Sequence, residues 1–256
     1  MLNLQNNTTN TNTLAMPTMF DQLMNLPLFR GASHEKLAQI VGQTKLHFLK
    51  YPEGETIIRA GESCQHLTFV LSGKVRAIIE NNNGRFSVGQ TLTAPAVLSP
   101  DFLYGRYTSF PADITAKSDV SILKISKNDY TRILASDTVF MFNYLNAVSA
   151  NAQKAVHGLL SLTTGEIDER IAFWIAALTQ PGGTEIILKC RKRDLCTLFG
   201  TQRSAFEAGL MSMKERGLID YTTNELSVID REKLMALLVY NHEGPDDTDK
   251  DYTSAE

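Results

Sequence analysis

The chain has 256 residues, of which 43% are hydrophobic, and its formal net charge is −3. This length allows one large domain or two, and the mixture of apolar and charged residues is typical of a folded globular protein. The clearest apolar run, at 171–178, is too short to span a bilayer, so we expect no membrane partner. The three cysteines form no CxxC pair, which favours reduced thiols in the cytoplasm over a disulfide framework.

Polar segments lie at both ends of the chain. Residues 1–18 are rich in Asn and Thr and lack the basic stretch and apolar core of a secretory signal. Residues 241–256 are acidic and rich in turn-forming residues. Both compositions predict disorder, as a polar arm and a solvated acidic tail.

Short β segments separated by turns dominate residues 46–126. The predicted strands are LHFLKY, ETIIRAG, LTFVLSG, KVRAIIE, ITAK and VSILKIS, with Gly54, Gly61, Gly73 and Gly84 between them. At 81–85, Asn83 and Gly84 predict a hairpin with the positive φ values of a type I′ turn. Strands at this spacing predict a sandwich or barrel, and we assign residues 19–137 to a β-roll sensor domain.

Within this region, residues 95–111 form an apolar segment rich in aromatic residues. It contains Phe102, Tyr104, Tyr107 and Phe110. Two interpretations stay open: these side chains line an effector pocket against the next helix, or they form a plain core beneath a loop. Three histidines lie apart in the sequence: His47, His66 and His157. Isolated histidines are more often surface or core residues than ligands, which leaves a haem ligand as a minor alternative.

A 3.5-residue apolar repeat marks residues 138–164 as a long helix. The repeat consists of Met141, Leu145, Val148, Ala152, Ala155, Leu159 and Leu162. Such a seam predicts pairing with a second copy, so we expect a homodimer. A helix packed only on its own sheet is the alternative, although it usually shows a wider apolar stripe. Gly158 is expected to weaken the helix by ~1 kcal/mol relative to Ala.

Residues 165–240 predict a winged helix-turn-helix domain. Gly165 ends the long helix and Glu166 begins another, and the sequence at 180–183 predicts a turn before a short strand. LIDY, TTNE and LSVI predict a hairpin placed as a wing, and the segment 231–240 predicts a closing helix.

The helix-turn-helix itself lies within 188–216. Leu195, Leu198 and Phe199 give the first helix an apolar edge, Gly200 provides the bend, and Thr201 offers an N-cap to the second helix. In that second helix the predicted core face is Phe206, Leu210 and Met213. An ordinary packed helical hairpin is the alternative.

Residue types in this segment point to DNA. Residues 189–216 contain seven Lys or Arg and three Asp or Glu, which is the charge balance that phosphate binding needs. The predicted phosphate contacts are Arg191, Lys192 and Arg193, and the predicted recognition-helix contacts are Thr201, Gln202, Arg203, Ser204 and Glu207. Arg203 is the main candidate for contact with a base.

A β-roll, a long helix and a winged helix, in this order, resemble the CRP/FNR family of bacterial transcription regulators. The resemblance covers roughly Asn25 to Leu238. The segments that carry it are YPEGETIIRAGE (51–62), FVLSGKVR (69–76), DERIAFWIAAL (168–178) and RDLCTLFGTQRSAFEAGLMSMKERGLID (193–220). The resemblance implies an α+β fold, a cyclic-nucleotide-binding-like sensor, and a homodimer that binds an inverted-repeat DNA site and RNA polymerase.

The family's known sensor ligands are not matched. Its cyclic-AMP-binding members carry a Gly-Glu pair and an Arg-Ser or Arg-Thr pair, whereas the aligned pair is about Phe110–Pro111 and Arg106 is followed by Tyr107. The positions that hold adenine align with about Ala155 and Val156. We therefore expect no cyclic AMP, and Cys64 alone in the sensor region excludes an iron–sulfur cluster. The cofactor is thus unknown.

These observations predict a non-enzymatic, homodimeric DNA-binding transcription regulator with an unidentified effector. One alternative is a cupin-type β-barrel enzyme with an accessory helical domain, but residues 46–126 contain only His47 and His66 and no His-x-His. The other is a ligand-binding module without DNA, which would not need the basic helix-turn-helix.

Overall fold

The computed structural model describes residues 19–81, 83–162 and 165–238. The predicted arm at 1–18, the tail at 241–256 and the end of the closing helix lie outside these residues. The helices are α1 (Met19–Met24), α2 (His34–Gln43), α3 (Lys127–Ser136), α4 (Thr138–Leu160), α5 (Ile167–Leu178), α6 (Lys192–Leu198), α7 (Arg203–Glu215) and α8 (Arg231–Ala236), with a 3-10 helix at Pro100–Phe102. The strands are β1 (Leu46–Tyr51), β2 (Thr56–Ile58), β3 (His66–Ser72), β4 (Lys74–Glu80), β5 (Ser87–Thr93), β6 (Ala96–Leu98), β7 (Asp113–Ala116), β8 (Val120–Ser126), β9 (Thr184–Lys189), β10 (Ile219–Tyr221) and β11 (Glu225–Val228).

The sensor region is a roll of antiparallel strands, which confirms the predicted α+β class. One sheet has the order β1-β8-β3-β6, and strands β5, β4, β7 and β2 form part of a second sheet. Alternating apolar residues of both sheets, such as Phe69, Val75 and Ile122, face inward and are fully buried. Gly73 makes the sharp turn from β3 to β4 at φ 85°, where a Cβ atom would lie 2.2 Å from the Asp119 carbonyl oxygen.

Two features of this roll were not predicted. Strand β5 is polar in composition, yet it is almost entirely buried. Strand β6, the next one along the chain, is only three residues long. The turn after β4 is a hairpin turn as expected, and Gly84 within it has a positive φ of 66°. Because residue 82 lies outside the described residues, the type I′ geometry stays a prediction.

Helix α4 follows the roll and connects it to the winged domain. The Asp137 side chain caps its N-terminus by accepting a hydrogen bond from the Val139 N–H at 2.9 Å. Phe140 and Tyr144 anchor the helix in the sensor core. Its helical geometry ends at Leu160, earlier than the predicted boundary at residue 164.

The winged domain shares a sheet with the sensor. Strand β9 pairs with wing strand β11 on one side and with sensor strand β5 on the other, so one seven-stranded sheet runs in the order β10-β11-β9-β5-β4-β7-β2. Val88 of β5 is 2% exposed and belongs to the apolar core of the winged domain. The neighbouring Phe86 ring packs on Trp174 of α5, with ring centroids 5.6 Å apart. Sensor residues therefore complete the core of the winged domain.

Polar contacts close the same junction around Glu185 at the start of β9. Its carbonyl oxygen accepts a 2.7 Å hydrogen bond from the Arg76 guanidinium, and its carboxylate accepts one from the Thr91 hydroxyl at 2.6 Å. Lys117 pairs with the same carboxylate, and the hydrogen bond from Lys117 is the main cause that lowers the pKa of Glu185. Side chains of strands β4 and β5 and of the turn after β7 thus hold one residue of the winged domain.

Candidate nucleic-acid interface and sensor cavity

The predicted helix-turn-helix is formed by α6, a turn at Gly200 and α7. Gly200 has φ 60°, the left-handed conformation that the bend requires. Phe206, Leu210 and Met213 of α7 are fully buried, which confirms the predicted core face. The Phe206 ring stacks on Phe199, with centroids 6.0 Å apart, and so fixes the two helices against each other.

Two local predictions at this site are wrong. Gln202, not Thr201, occupies the N-cap of α7, and its side chain makes no capping hydrogen bond. The Thr201 hydroxyl is buried and has no hydrogen-bond partner in the described part of the chain. Leu198, expected on the apolar edge of the first helix, is 43% exposed. Helical spacing locates a stripe of residues, but the position of the neighbouring helix decides how much of that stripe is covered.

The outer face of α7 carries the predicted recognition residues. Gln202, Arg203 and Ser204 are exposed at its start, and the Arg203 side chain is 84% exposed. The Arg203 Nε donates to the Glu207 carboxylate at 3.1 Å, and this bond is the main cause that lowers the pKa of Glu207. Lys192 approaches the same carboxylate at 3.5 Å. The Arg203 guanidinium therefore lies at the start of the recognition helix, and its ion-pair partner among the described residues is the surface carboxylate of Glu207.

The basic entry before α6 lies between this helix and the wing. Arg191 forms an ion pair with Asp194 at 2.8 Å, and the Arg193 side chain is largely exposed. The Lys192 N–H donates to the Thr223 carbonyl of the wing loop, and its ammonium lies 5.3 Å from the centre of the Tyr221 ring. The predicted wing at β10 and β11 is confirmed, and it lies beside the cationic residues.

A cavity of about 260 Å³ lies between the sensor, α4 and the end of α5. Its lining includes Gln90, Leu92, Ser99, Asp101, Phe102, Pro111, Asn151, Lys154, Ala155, Thr179 and Gln180. Lys154 Nζ donates to the Thr179 carbonyl at 2.7 Å, and the Gln180 N–H donates to the Gln90 side-chain oxygen at 2.8 Å. Burial lowers the pKa of Lys154, and nearby Arg231 adds to this effect whereas Asp101 opposes it.

Of the four aromatic residues expected at an effector pocket, only Phe102 lines this cavity. Phe110 is buried in the sensor core, and Tyr107 is 77% exposed. Tyr104 packs edge-on against Tyr144 of α4 and shares a 2.8 Å hydrogen bond with Thr131. The aromatic run points in several directions because it contains the 3-10 helix, so composition alone did not distinguish core, surface and cavity.

The cavity's polar residues were not singled out from the sequence. Gln90 lies in strand β5, which was not predicted, and Lys154 lies inside the predicted seam helix but is not one of the seam residues. Thr179 and Gln180 come from the end of α5. No sequence signal joins these distant segments, because only the packing of α5 on α4 brings them together.

The residues of the predicted α4 seam have different environments. Met141, Leu145, Ala152 and Leu159 are exposed, with Leu159 at 69%. Val148 packs on the sensor core and Leu162 on the core of the winged domain, while Ala155 is exposed and lies at the edge of the cavity. Further apolar side chains of α4 are exposed as well: Phe142, Val156 and Leu160.

The described residues contain neither a cluster of metal-binding side chains nor a helix that could cross a membrane. No group of three or more His, Cys, Asp or Glu side chains is placed to bind a metal ion. His47 of β1 and His66 of β3 lie on either side of strand β8, with ring centroids 6.2 Å apart. Burial is the main cause that lowers the pKa of His66. No described helix is both long and apolar enough to cross a membrane.

The fold and the basic surface define a winged helix-turn-helix DNA-binding protein with a β-roll sensor. Residues 48–137 match the cyclic nucleotide-binding domain family, and residues 169–237 match the Crp-like helix-turn-helix domain family. Since both domains occur in this order, the chain belongs to the CRP/FNR family of transcription regulators, as its sequence predicted.

Individual relatives are distant. The chain is 26% identical over 200 residues to the Cyclic AMP receptor protein of Thermus thermophilus, covering 75% of this chain and 88% of that protein. It is 23% identical over 183 residues to the cAMP-activated global transcriptional regulator Vfr of Pseudomonas aeruginosa, covering 68% and 85%. The solved Catabolite Activator Protein of Thermus thermophilus matches with a TM-score of 0.46 and 18% identity, covering 84% of this chain and 99% of that one.

Proposed function

We propose that this protein is a homodimeric transcription regulator that binds inverted-repeat DNA and responds to a small effector other than cyclic AMP. The observation that carries the proposal is the exposed start of α7, where Arg203 stands above a fully buried core face and beside a basic entry. Recruitment or blocking of RNA polymerase is the regulatory outcome that such a role requires.

Sequence recognition is assigned to the first turn of α7. The Arg203 guanidinium can exchange the Glu207 carboxylate for the O6 and N7 atoms of a guanine, a bidentate contact worth about 1–3 kcal/mol of discrimination. Gln202, Ser204 and Glu207 flank it, and Glu207 can accept from a cytosine amine. Two such helices in a dimer require half-sites about 34–36 Å apart.

The dimer interface is assigned to the exposed side of α4. Phe142, Leu145, Ser149, Ala152, Val156 and Leu159 are exposed there, at spacings of 3, 4, 3, 4 and 3 residues. This repeat shares Leu145, Ala152 and Leu159 with the seam predicted from sequence. Phe142, Ser149 and Val156 take the places of Met141, Val148 and Ala155, and Leu162 is not part of it. The side chains of an apolar a/d repeat are removed from water only when two helices pair, and this burial is the usual basis of a two-helix interface.

Effector binding is assigned to the cavity at Lys154. Strand β5 links it to the winged domain, because Gln90 and Leu92 line the cavity while Val88 lies in the winged core. A ligand that competes for the hydrogen bonds of Lys154 or Gln90 changes how firmly the end of α5 is held. It thereby shifts the equilibrium between different positions of the winged domain.

Cyclic AMP does not suit this cavity. Among the described residues that line it, Lys154 is the one cation, and no arginine is available to hold a phosphate bidentately. We therefore predict no saturable heat of binding when cyclic AMP is titrated into the apo protein in a calorimeter. Binding at micromolar concentration would refute this part of the proposal.

The function as a whole is tested by selection of binding sites from random duplex DNA. We expect a palindromic consensus bound by a dimer, with an affinity that falls steeply as salt rises. A protein that enriches no sequence and binds no duplex above nonspecific background, with or without a cell extract as an effector source, is not a DNA-binding regulator.

A further inference from the structure

A second cationic surface lies where the sensor meets the wing. It is a concave site of about 510 Å³ lined by Gly84, Arg85, Lys189, Cys190, Arg191, Thr222, Asn224 and Glu225. Gly84 and Arg85 belong to the sensor, in the turn between β4 and β5, and the others belong to the winged domain. Three of these residues are cations, whereas Glu225 is the one carboxylate among the described lining residues.

Strand pairing sets the position of Arg85. In the shared sheet Ser87 of β5 pairs with Lys189 of β9, which in turn pairs with Glu225 of the wing. Neighbouring strands are about 4.7–4.9 Å apart, so the sensor turn lies only about 10 Å across the sheet from the wing. Arg85 precedes Ser87 by two residues and is therefore level with the wing loop at 222–224.

The sensor turn is held firmly in this position. The Asn81 N–H donates to the Phe86 carbonyl at 3.0 Å, and the Phe86 N–H donates to the Asn81 side-chain oxygen at 3.1 Å. The Phe86 ring then packs on Trp174 of the winged domain. Arg85 is thus flanked by a residue whose side chain is part of the DNA-binding half of the molecule.

The charges on this surface are available for a ligand. Arg85 and Lys189 are exposed, and neither forms an ion pair with any residue that the structure describes. Arg191 is paired with Asp194, and the Glu80 carboxylate lies beside Gly84. Next to Arg191, Lys192 contacts Glu207 on the recognition helix. Cations therefore recur from the sensor turn to the recognition helix, with the carboxylates of Glu225 and Asp194 among them.

We propose that the sensor turn acts as a second wing, in which Arg85 binds a DNA phosphate outside the half-site with Lys189 beside it. This inference rests on the proposed DNA binding. Duplex DNA carries one negative charge per about 1.7 Å of its axis, so a duplex that contacts the wing has further phosphates within reach of a cation 10 Å away. DNA is favoured over an acidic protein because the surface is continuous with the recognition helix.

The test compares Arg85→Ala with Arg59→Ala on the selected DNA site. Arg59 is an exposed arginine after β2, far from the wing at the opposite edge of the same sheet, and it has no ion-pair partner among the described residues. Its removal changes the net charge equally. Fluorescence anisotropy measures affinity against KCl on a long duplex and on one trimmed to the two half-sites. Ethylation interference then identifies the phosphate, and Trp174 emission checks that each variant keeps its fold.

On the long duplex each subunit of the proposed dimer loses one phosphate contact, so we expect Arg85→Ala to lower the salt slope by about two and to weaken binding roughly three- to ten-fold. Arg59→Ala should match the parent, and on the trimmed duplex all three proteins should bind alike. Ethylation of one flanking phosphate should weaken the parent but not Arg85→Ala. Equal slopes for the two variants, or an equal loss on the trimmed duplex, overturn the second wing while leaving DNA binding intact. A parent that binds no duplex overturns both proposals.

Discussion

At the scale of single residues, Arg203 and Lys192 contact the same Glu207 carboxylate, but the proposed function gives them different kinds of DNA contact. Arg203→Ala removes the proposed bidentate base contact and should relax sequence preference at one symmetric pair of positions. Lys192→Ala removes the proposed phosphate contact from each subunit, so it should weaken all duplexes alike and lower the salt slope of the dimer by about two. Binding-site selection and salt titration measure these effects. An unchanged consensus for Arg203→Ala would show that another side chain contacts the bases.

Gly158 shows how packing reverses a local preference. In an isolated helix, Ala in its place would stabilise by ~1 kcal/mol. In the structure, a Cβ atom there would lie 2.3 Å from the Ala177 Cβ atom, because α5 crosses α4 at this residue. Gly158→Ala should therefore destabilise the protein by about 1–3 kcal/mol, the usual cost of overpacking.

The matched control is Gly42→Ala in α2, where a new Cβ atom meets nothing within 4 Å. It should stabilise by about 0.4–1 kcal/mol, through the reduced freedom of the unfolded chain. Urea unfolding followed by circular dichroism compares the two variants. If both shift the midpoint in the same direction, the α4–α5 crossing is looser than the structure indicates.

At the scale of elements, α4 has an apolar face that the described chain leaves uncovered. Combining Leu145→Lys with Leu159→Lys places charge at two positions of the proposed seam, and should yield a monomer that binds DNA poorly. Ala150→Lys adds a charge on the same helix away from the seam and should remain dimeric. Sedimentation velocity decides between them. A dimeric double variant would assign self-association to another surface.

At the scale of the whole molecule, one shared sheet and one aromatic contact join sensor and winged domain. Trp174, the only tryptophan of the chain, packs on Phe86 of the sensor and on Phe199 of the winged domain. Its fluorescence therefore reports on the junction.

Phe86→Ala should shift the Trp174 emission to longer wavelength under native conditions, because one side of the indole loses its apolar cover. The loss of stability should be smaller than the ~3–5 kcal/mol of a fully buried Phe, since Phe86 is only half-buried. Phe48→Ala, at an exposed position on β1, is the control and should leave the emission unchanged. The same shift in both variants would mean that Trp174 responds to general loosening.

The sequence by itself determined the class of this protein and much of its local structure. Period-2 and period-3.6 patterns predicted six strands, the long helix and the winged helix-turn-helix, because these patterns express which side of an element faces away from water. The Gly200 bend and the buried Phe206–Leu210–Met213 face depend on residues close in the chain, and both are as predicted.

Only the tertiary structure decided what depends on partners far apart in the chain. The polar strand β5 is buried because β4 and β9 pair along its two edges and because its side chains enter the sensor core and the winged core. The cavity at Lys154 exists because α5 packs on α4, and the exposed seam of α4 is the face that the sensor and α5 leave free. A periodic pattern shows at which intervals apolar residues occur. Long-range packing determines whether each of them contacts another part of the protein or the solvent.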